Sequence, residues 1–213
     1  MNFDNYGFCQ PNDNIRKSFR CKPLSELDMD NYILFAGTSH TEGAGVDVEQ
    51  SYPYLLSKYF NCDYFNLSIS GTGTDVIEHN LLTWSYLFKD KQPKYLIVEL
   101  APEERYAAWY PDSETFISMG PWSEKYENVL PLFTKGKEIF HNKMRMTLTL
   151  IPEIFKCPIF YVRYGSLPTP TEYHGRSSIT WIHRLDIGTD GKHPGIKSHE
   201  QISNNLIEQI LAR

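Results

Sequence analysis

Apolar positions along this chain fall into short unbroken runs separated by longer stretches of helical period. The run Tyr32-Ile33-Leu34-Phe35-Ala36, closed by Gly37, is apolar at every position. Such a run suits a strand buried on both faces of a parallel sheet. From about Gln50 to Phe60 the residues Tyr54, Leu55 and Tyr59 gather on one face and predict a helix. A second strand is expected at about Tyr64–Leu67, running into Ser68-Ile69-Ser70-Gly71-Thr72. Residues 74–89 are again helical, with Val76, Ile77, Leu81, Leu82 and Tyr86 recurring near the 3.6-residue period. Lys94–Leu100 is the clearest strand of the chain. Strands alternating with helices in this way predict a parallel sheet wound by right-handed crossovers.

After Ala101 the rhythm is lost. Residues 102–135 are rich in Pro, Tyr, Trp and Glu and follow neither period, which reads as an insertion at the C-terminal edge of the sheet. A helix is expected from about Lys135 to Ile154, then a strand at Pro158–Arg163. Ser166–Ser178 holds two prolines and Gly175 and reads as a loop. A short strand near Ile179–Leu185 leads to Asp190-Gly191-Lys192-His193-Pro194-Gly195 and a last helix over residues 197–212. The expected organisation is an irregular leader over residues 1–30 and one α/β domain over residues 31–213, carrying the insertion at about 102–135.

Composition narrows the function classes. A net charge of −5 with no dense Lys/Arg run argues against a nucleic-acid partner, since sequence-independent binding to phosphates needs basic residues. The first thirty residues contain no apolar signal core, and no stretch approaches the roughly 20 apolar residues of a membrane span. A cytoplasmic location is therefore expected. Cys9, Cys21, Cys62 and Cys157 are scattered, which favours reduced thiols, with a Cys9–Cys21 bridge left open. No cofactor or metal is expected: His79, His141, His174, His183 and His199 show no mutual ligand spacing. A site using Asp186, Asp190, His193 and His199 is conceivable, but residue types alone give it no geometry.

In open parallel sheets ligands bind beyond the carboxyl ends of the strands. Four such junctions carry chemistry here: Gly37–Gly43, Ser70-Gly71, Ala101–Arg105 and Asp190–His193. In the first, Ser39 sits in a tight loop between glycines. Serine needs a base to become a nucleophile, and a backbone N–H at a helix start can hold an oxyanion. A phosphate loop is the competing reading, but the Lys-Ser/Thr after its last glycine is absent. Taken alone, the segment reads first as an ordinary Gly-Thr-Ser turn. In the fourth junction Asp190 and His193 stand three apart, so the carboxylate can hold one imidazole nitrogen and leave the other to act as base. An incidental His on an Asp-Gly turn is the plain alternative.

As an ordered set these junctions resemble the SGNH (GDSL-like) hydrolase superfamily. Gly37-Thr38-Ser39-His40-Thr41 is similar to its first block, Gly71 to the glycine of its second, and Asp190-Gly191-Lys192-His193 to its last. There is particular likeness to divergent members with a Thr-Ser or Cys-Ser loop, some of them phage-encoded. The resemblance implies a three-layer flavodoxin-like α/β fold, with a parallel sheet of about five strands and helices on both faces. It also implies ester hydrolysis, often on acetylated sugars or lipids, with Ser39, Asp190 and His193 as catalytic residues. The amides of Ser39 and Gly71 would form the oxyanion hole.

Two positions depart from the family pattern. Thr38 replaces the aspartate before the serine, which bears on the bracing of the loop. After the third strand the family's Gly-x-Asn-Asp is replaced by Leu100-Ala101-Pro102-Glu103-Glu104-Arg105, so an asparagine donor to the oxyanion is missing. Arg105 is a candidate substitute, with an ion pair to Glu99, Glu103 or Glu104 as the alternative. His40, Trp109, Tyr110 and Trp122 are candidates for substrate contact. For His40 the plain alternative is a solvated loop residue, and for the aromatic insertion a patch tethering it to the body. Glu42 is expected to face a helix start. Two functions remain open: an esterase acting on a small-molecule or glycan ester through an acyl-enzyme, and a non-catalytic carbohydrate-binding or structural protein on the same fold.

Overall fold

The computed structural model describes residues 2–3, 9–10, 21–102, 105–110, 115–119, 137–164 and 179–213. Its centre is a five-stranded parallel sheet of β1 (Tyr32–Ala36), β2 (Asp63–Asn66), β3 (Tyr95–Glu99), β4 (Ile159–Tyr164) and β5 (Ile179–Ile182). The strand order is β2-β1-β3-β4-β5, the flavodoxin-like order. The helices are α1 (Ser39–Glu42), α2 (Tyr52–Tyr59), α3 (Thr74–Leu87), α4 (Lys137–Ile154) and α5 (Ile196–Leu211). The architecture is the three-layer α/β arrangement expected from the sequence.

The unbroken apolar runs are explained by burial on both sides. Successive side chains of a strand point to opposite faces, so a central strand needs apolar residues at odd and even positions alike. On one face Tyr32, Leu34, Leu96 and Val98 pack against Val76, Leu81 and Trp84 of α3 and Met144 and Ile151 of α4. On the other, Ile33, Phe35, Ile97 and Val162 meet Tyr52 and Leu56 of α2 and Ile202 and Leu206 of α5. These two cores hold the carboxyl ends of β1, β2 and β3 side by side. The functional loops leave from there.

The structure refines three of these readings. Within residues 102–135, Tyr106–Tyr110 pairs with Thr115–Met119 in an antiparallel ribbon. A two-stranded ribbon is held by backbone pairing, so it leaves little one-sided apolar pattern to read. The last strand stops at Ile182 rather than near Leu185, because the Leu185 and Asp186 amides turn away to donate to Ser198 Oγ at 2.9 and 3.3 Å. Cys21, Cys62 and Cys157 are free thiols, the reduced state that their scattering favours. The expected loop at 166–178 lies outside the described residues. Among those described, no helix is long and apolar enough to cross a membrane.

Trp84 is the largest fully buried side chain, its ring centroid 4.8 Å from Phe65, 5.7 Å from Tyr32 and 4.7 Å from Phe88. Its indole N–H donates to Tyr32 Oη at 3.1 Å, and Tyr32 in turn donates to the Lys91 carbonyl at 2.6 Å. Trp84→Ala is expected to cost about 3–5 kcal/mol, because the cavity it leaves adjoins sheet side chains that cannot collapse into it. Chemical denaturation of the variant measures this. A loss below about 1 kcal/mol would show that Trp84 does not anchor this face.

Candidate active site

The loop after β1 is built around a buried charge. Glu99 ends β3 and is 1% exposed. A carboxylate in that position must be fully paired, and this one is. Its Oε1 accepts from Thr38 Oγ1 at 2.6 Å and contacts His40 Nδ1 at 2.8 Å. Its Oε2 accepts from the Thr38 amide at 2.8 Å, the Thr41 amide at 3.0 Å and Thr41 Oγ1 at 2.6 Å. Tyr52 Oη lies 2.7 Å from Thr41 Oγ1 and donates to it, since the threonine proton is committed to Glu99. Gly37 makes this approach possible. A Cβ there would stand 2.6 Å from Glu99 Cβ and 2.5 Å from Thr41 Oγ1.

The bracing fixes α1, a single turn whose first residue is Ser39. Thr38 is its N-cap residue but caps no helix amide with its side chain, since its hydroxyl goes to Glu99. The turn closes through the Ser39 carbonyl, which accepts from Gly43 N at 3.1 Å and Ala44 N at 2.9 Å. Ser39 is 4% exposed. From β2, Asn66 Nδ2 donates to the Thr41 carbonyl at 2.8 Å. Glu42, also buried, accepts from the Ser70 amide at 2.5 Å and from the Ser70 hydroxyl. Glu42 lies in the first turn of α1, and through these bonds it ties α1 to the turn containing Gly71. Gly71 has φ +77°, a left-handed conformation that glycine adopts without penalty.

At the other end of the chain Asp190 and His193 form a pair within one turn. Asp190 Oδ2 lies 2.5 Å from His193 Nδ1, and its Oδ1 accepts from the Lys192 and His193 amides at 2.9 and 3.0 Å. Desolvation raises the Asp190 pKa, but these hydrogen bonds outweigh it, the His193 amide and ring foremost, and hold the carboxyl below its usual range. An ionised carboxylate only accepts, so Nδ1 carries the proton and Nε2 of the neutral ring is left with its lone pair.

The two ends meet. A Cβ on Gly45, just past α1, would lie 3.2 Å from His193 Cβ and 3.1 Å from Asp190 Oδ1. The His40 and His193 rings lie edge-to-face at 6.0 Å, and His40 also stacks on Tyr164 at 4.2 Å. His40 is thus not a solvated loop residue: it is 5% exposed and held by Glu99. Among the hydrogen bonds of the described residues, none joins Ser39 Oγ to His193, a link that in unliganded sites is often long until substrate binds.

The remaining candidates fall differently. Glu99 is taken up by Thr38, His40 and Thr41, so Arg105 does not pair with it. The Arg105 backbone instead packs on the Gly71–Gly73 turn, its carbonyl 2.4 Å from where a Gly73 Cβ would be. Glu103, Glu104 and Trp122 lie outside the described residues, while Trp109 and Tyr110 belong to the hairpin strand Tyr106–Tyr110. The conceivable metal set disperses. Asp186 accepts from the Lys197 and Ser198 amides at 3.0 Å each, at the start of α5. His199 Nδ1 accepts from the Tyr52 amide at 3.2 Å. Among the described residues no group of three or more His, Cys, Asp or Glu is placed to hold a metal ion.

Sequence reasoning missed Glu99 as the brace, along with Asn66, Tyr164 and Gly45. Only Glu99 left a signal: a lone carboxylate at the end of the apolar run Tyr95–Val98, where burial forces it to find partners.

No family model matches the chain, and no curated protein matches it by sequence. Solved structures do. A family two carbohydrate esterase from Clostridium thermocellum, in complex with cellohexaose, is similar at a TM-score of 0.55 and 14% identity over 89% of this chain. The chain spans 64% of that esterase's length. TesA is similar at 0.50 and 15% identity over 84% of this chain and 97% of its own. The esterase EstA from Pseudoalteromonas sp., in a structure inhibited by monoethylphosphonate, is similar at 0.51 and 14% identity over 86% and 98%. The chain therefore shares its three-layer α/β fold with these structures, esterases among them.

Glu99 also sets an acid response. Desolvation raises its pKa, but the charge and hydrogen bond of His40, with those of Thr38 and Thr41, bring it down from 4.5 to about 2. A carboxyl depressed on folding contributes stability above its unfolded pKa and loses it as pH falls through the folded one. The contribution should be complete above about pH 5 and fade between the unfolded and folded values. Melting temperatures across that window should fall more steeply for the wild type than for Glu99→Gln, which starts lower at neutral pH. Parallel curves would contradict the assignment.

Proposed function

We propose that the protein hydrolyses carboxylic esters through an acyl-enzyme, with Ser39 as nucleophile, His193 as base and Asp190 as the residue that orients it. The observation carrying this reading is the Asp190–His193 pair packed against Gly45, a few residues beyond Ser39. His193 Nε2 takes the Ser39 hydroxyl proton as Oγ bonds to the ester carbonyl carbon. The carbonyl oxygen becomes an oxyanion, facing the amides of Ser39 and Gly71. Collapse of the tetrahedral intermediate breaks the C–O bond, and the alcohol leaves with the proton from His193. Water, deprotonated by His193, then attacks the acyl-enzyme, releasing the acid and restoring Ser39.

Support for the substrate class comes from the structural neighbours, among them carbohydrate esterases. An acylated glycan or another short-chain acyl ester is the proposed substrate, with His40, Trp109, Tyr110 and Trp122 as substrate contacts. Loss of the third-block asparagine removes one oxyanion donor, worth on the order of 10²–10³ in rate. Arg105, against the Gly71–Gly73 turn, is the proposed replacement. The same loss favours a second reading, in which the fold binds an acylated glycan without efficient turnover.

Ser39→Ala is expected to abolish hydrolysis of a short-chain nitrophenyl ester and labelling by a fluorophosphonate. Asp190→Asn should lower kcat by about 10⁴, as the carboxamide no longer holds the required tautomer. Arg105→Met should lower kcat by about tenfold or more with little change in KM. Equal turnover by the wild type and Ser39→Ala would refute the enzyme reading, and glycan binding without turnover would establish the second.

A further inference from the structure

Each half of the proposed site is braced on its own. Glu99 fixes the turn that begins with Ser39, and Asp190 holds His193 through bonds inside residues 190–193. Neither set of bonds decides how far the base stands from the nucleophile. That distance depends on where the turn over residues 188–193 rests against the loop over residues 43–47.

The contact there is backbone on backbone. The Gly45 carbonyl accepts from the Thr189 amide at 2.8 Å and from Thr189 Oγ1 at 3.1 Å. A Cβ on Gly188 would stand 2.5 Å from Gly45 O and 2.8 Å from both its C and its Cα. Gly188 N also donates to the His193 carbonyl at 2.8 Å, so the residue touching Gly45 is bonded directly to the residue carrying the base. Gly45 itself has φ +88° and faces Asp190 and His193 with no side chain between.

We propose that Gly45 and Gly188 are positioning residues, whose close backbone approach sets His193 at its working distance from Ser39. This rests on the Ser39–His193 reading above. Two segments about 140 residues apart in sequence are thereby registered by the absence of two side chains. A methyl group on Gly188 cannot be accommodated without moving one backbone from the other. A misplacement of about 1 Å between reacting groups can cost on the order of 10² in rate.

The turn supplies its own control. Gly191 also has positive φ, +70°, but a Cβ there would meet nothing within 4 Å. Gly191→Ala strains the backbone without separating the segments, whereas Gly188→Ala separates them without a left-handed conformation to strain. With a nitrophenyl ester, Gly188→Ala should lower kcat about 100-fold and change KM by no more than about twofold. The low-field imidazole N–H resonance of the Asp190–His193 pair should persist, since that pair lies within its own turn. The Thr189 amide should exchange with solvent faster. Gly191→Ala should lower the melting temperature yet leave exchange at the Thr189 amide as in the wild type. Should Gly188→Ala not fold, Thr189→Val, which deletes only the hydroxyl bond to Gly45, is expected to lose kcat several-fold, with Thr189→Ser restoring it.

Undiminished kcat in Gly188→Ala, or equally fast Thr189 exchange in Gly191→Ala, would overturn the proposal. If the wild type turns over no ester, the catalytic reading fails separately, and exchange at the Thr189 amide still judges the contact: protection unchanged in Gly188→Ala shows that no such clamp exists.

Discussion

The site is organised around one carboxylate that has no access to water. Glu99 lies at the end of β3, between the loop after β1 and the core, and a charge there is tolerable only when each oxygen is saturated with donors. Five contacts from Thr38, His40 and Thr41 meet that requirement. A demand for solvation is thereby turned into a rigid loop. Removing the partners would leave a buried charge unpaired, and removing the charge would leave several donors facing nothing. Thr38, which stands where the resembling family has aspartate, is intelligible in these terms: with Glu99 already supplying a negative charge, a hydroxyl donor fits and a second carboxylate would not.

From that brace the remaining parts are reached in short steps. Asn66 holds the Thr41 carbonyl from β2, Glu42 holds the Ser70 turn, and Gly45 meets the turn of Asp190 and His193. The one-turn helix Ser39–Glu42 is thus where four segments of sequence converge. His40 extends the arrangement, bonded to Glu99, stacked on Tyr164 and edge-on to His193. Two imidazoles, each with its own carboxylate, therefore stand beside each other at the carboxyl edge of the sheet. The strand order makes this possible: reversal of winding between β1 and β3 opens a crevice at their ends, where doubly wound sheets bind ligands.

The structural neighbours share this fold at 14–15% identity, so what they have in common with the chain is the frame. On that frame the departure after β3 is local. The loop geometry set by Glu99 and the pair formed by Asp190 do not depend on the residues there. The fold alone does not decide function, since it hosts more than one chemistry.

The sequence by itself determined the layers. Unbroken apolar runs such as Tyr32–Ala36 require burial on two faces, and helical periods such as that of residues 74–89 require one, so the order of elements follows from solvent exclusion acting locally. It also made the Asp190–His193 pair available, because a three-residue spacing on a turn lets those side chains meet, as they do at 2.5 Å. Only the tertiary structure decided the rest. The hairpin at Tyr106–Tyr110 leaves no one-sided pattern, and the partners of Glu99 and Glu42 lie 28 to 61 residues away. The contact of Gly45 with Gly188 has no signature at all, since a close approach of two backbones is marked by side chains that are missing. Hydrophobic period records what a residue does to water. It carries no record of which distant residue a buried polar group will meet, and that meeting is what brings the Ser39 loop to His193.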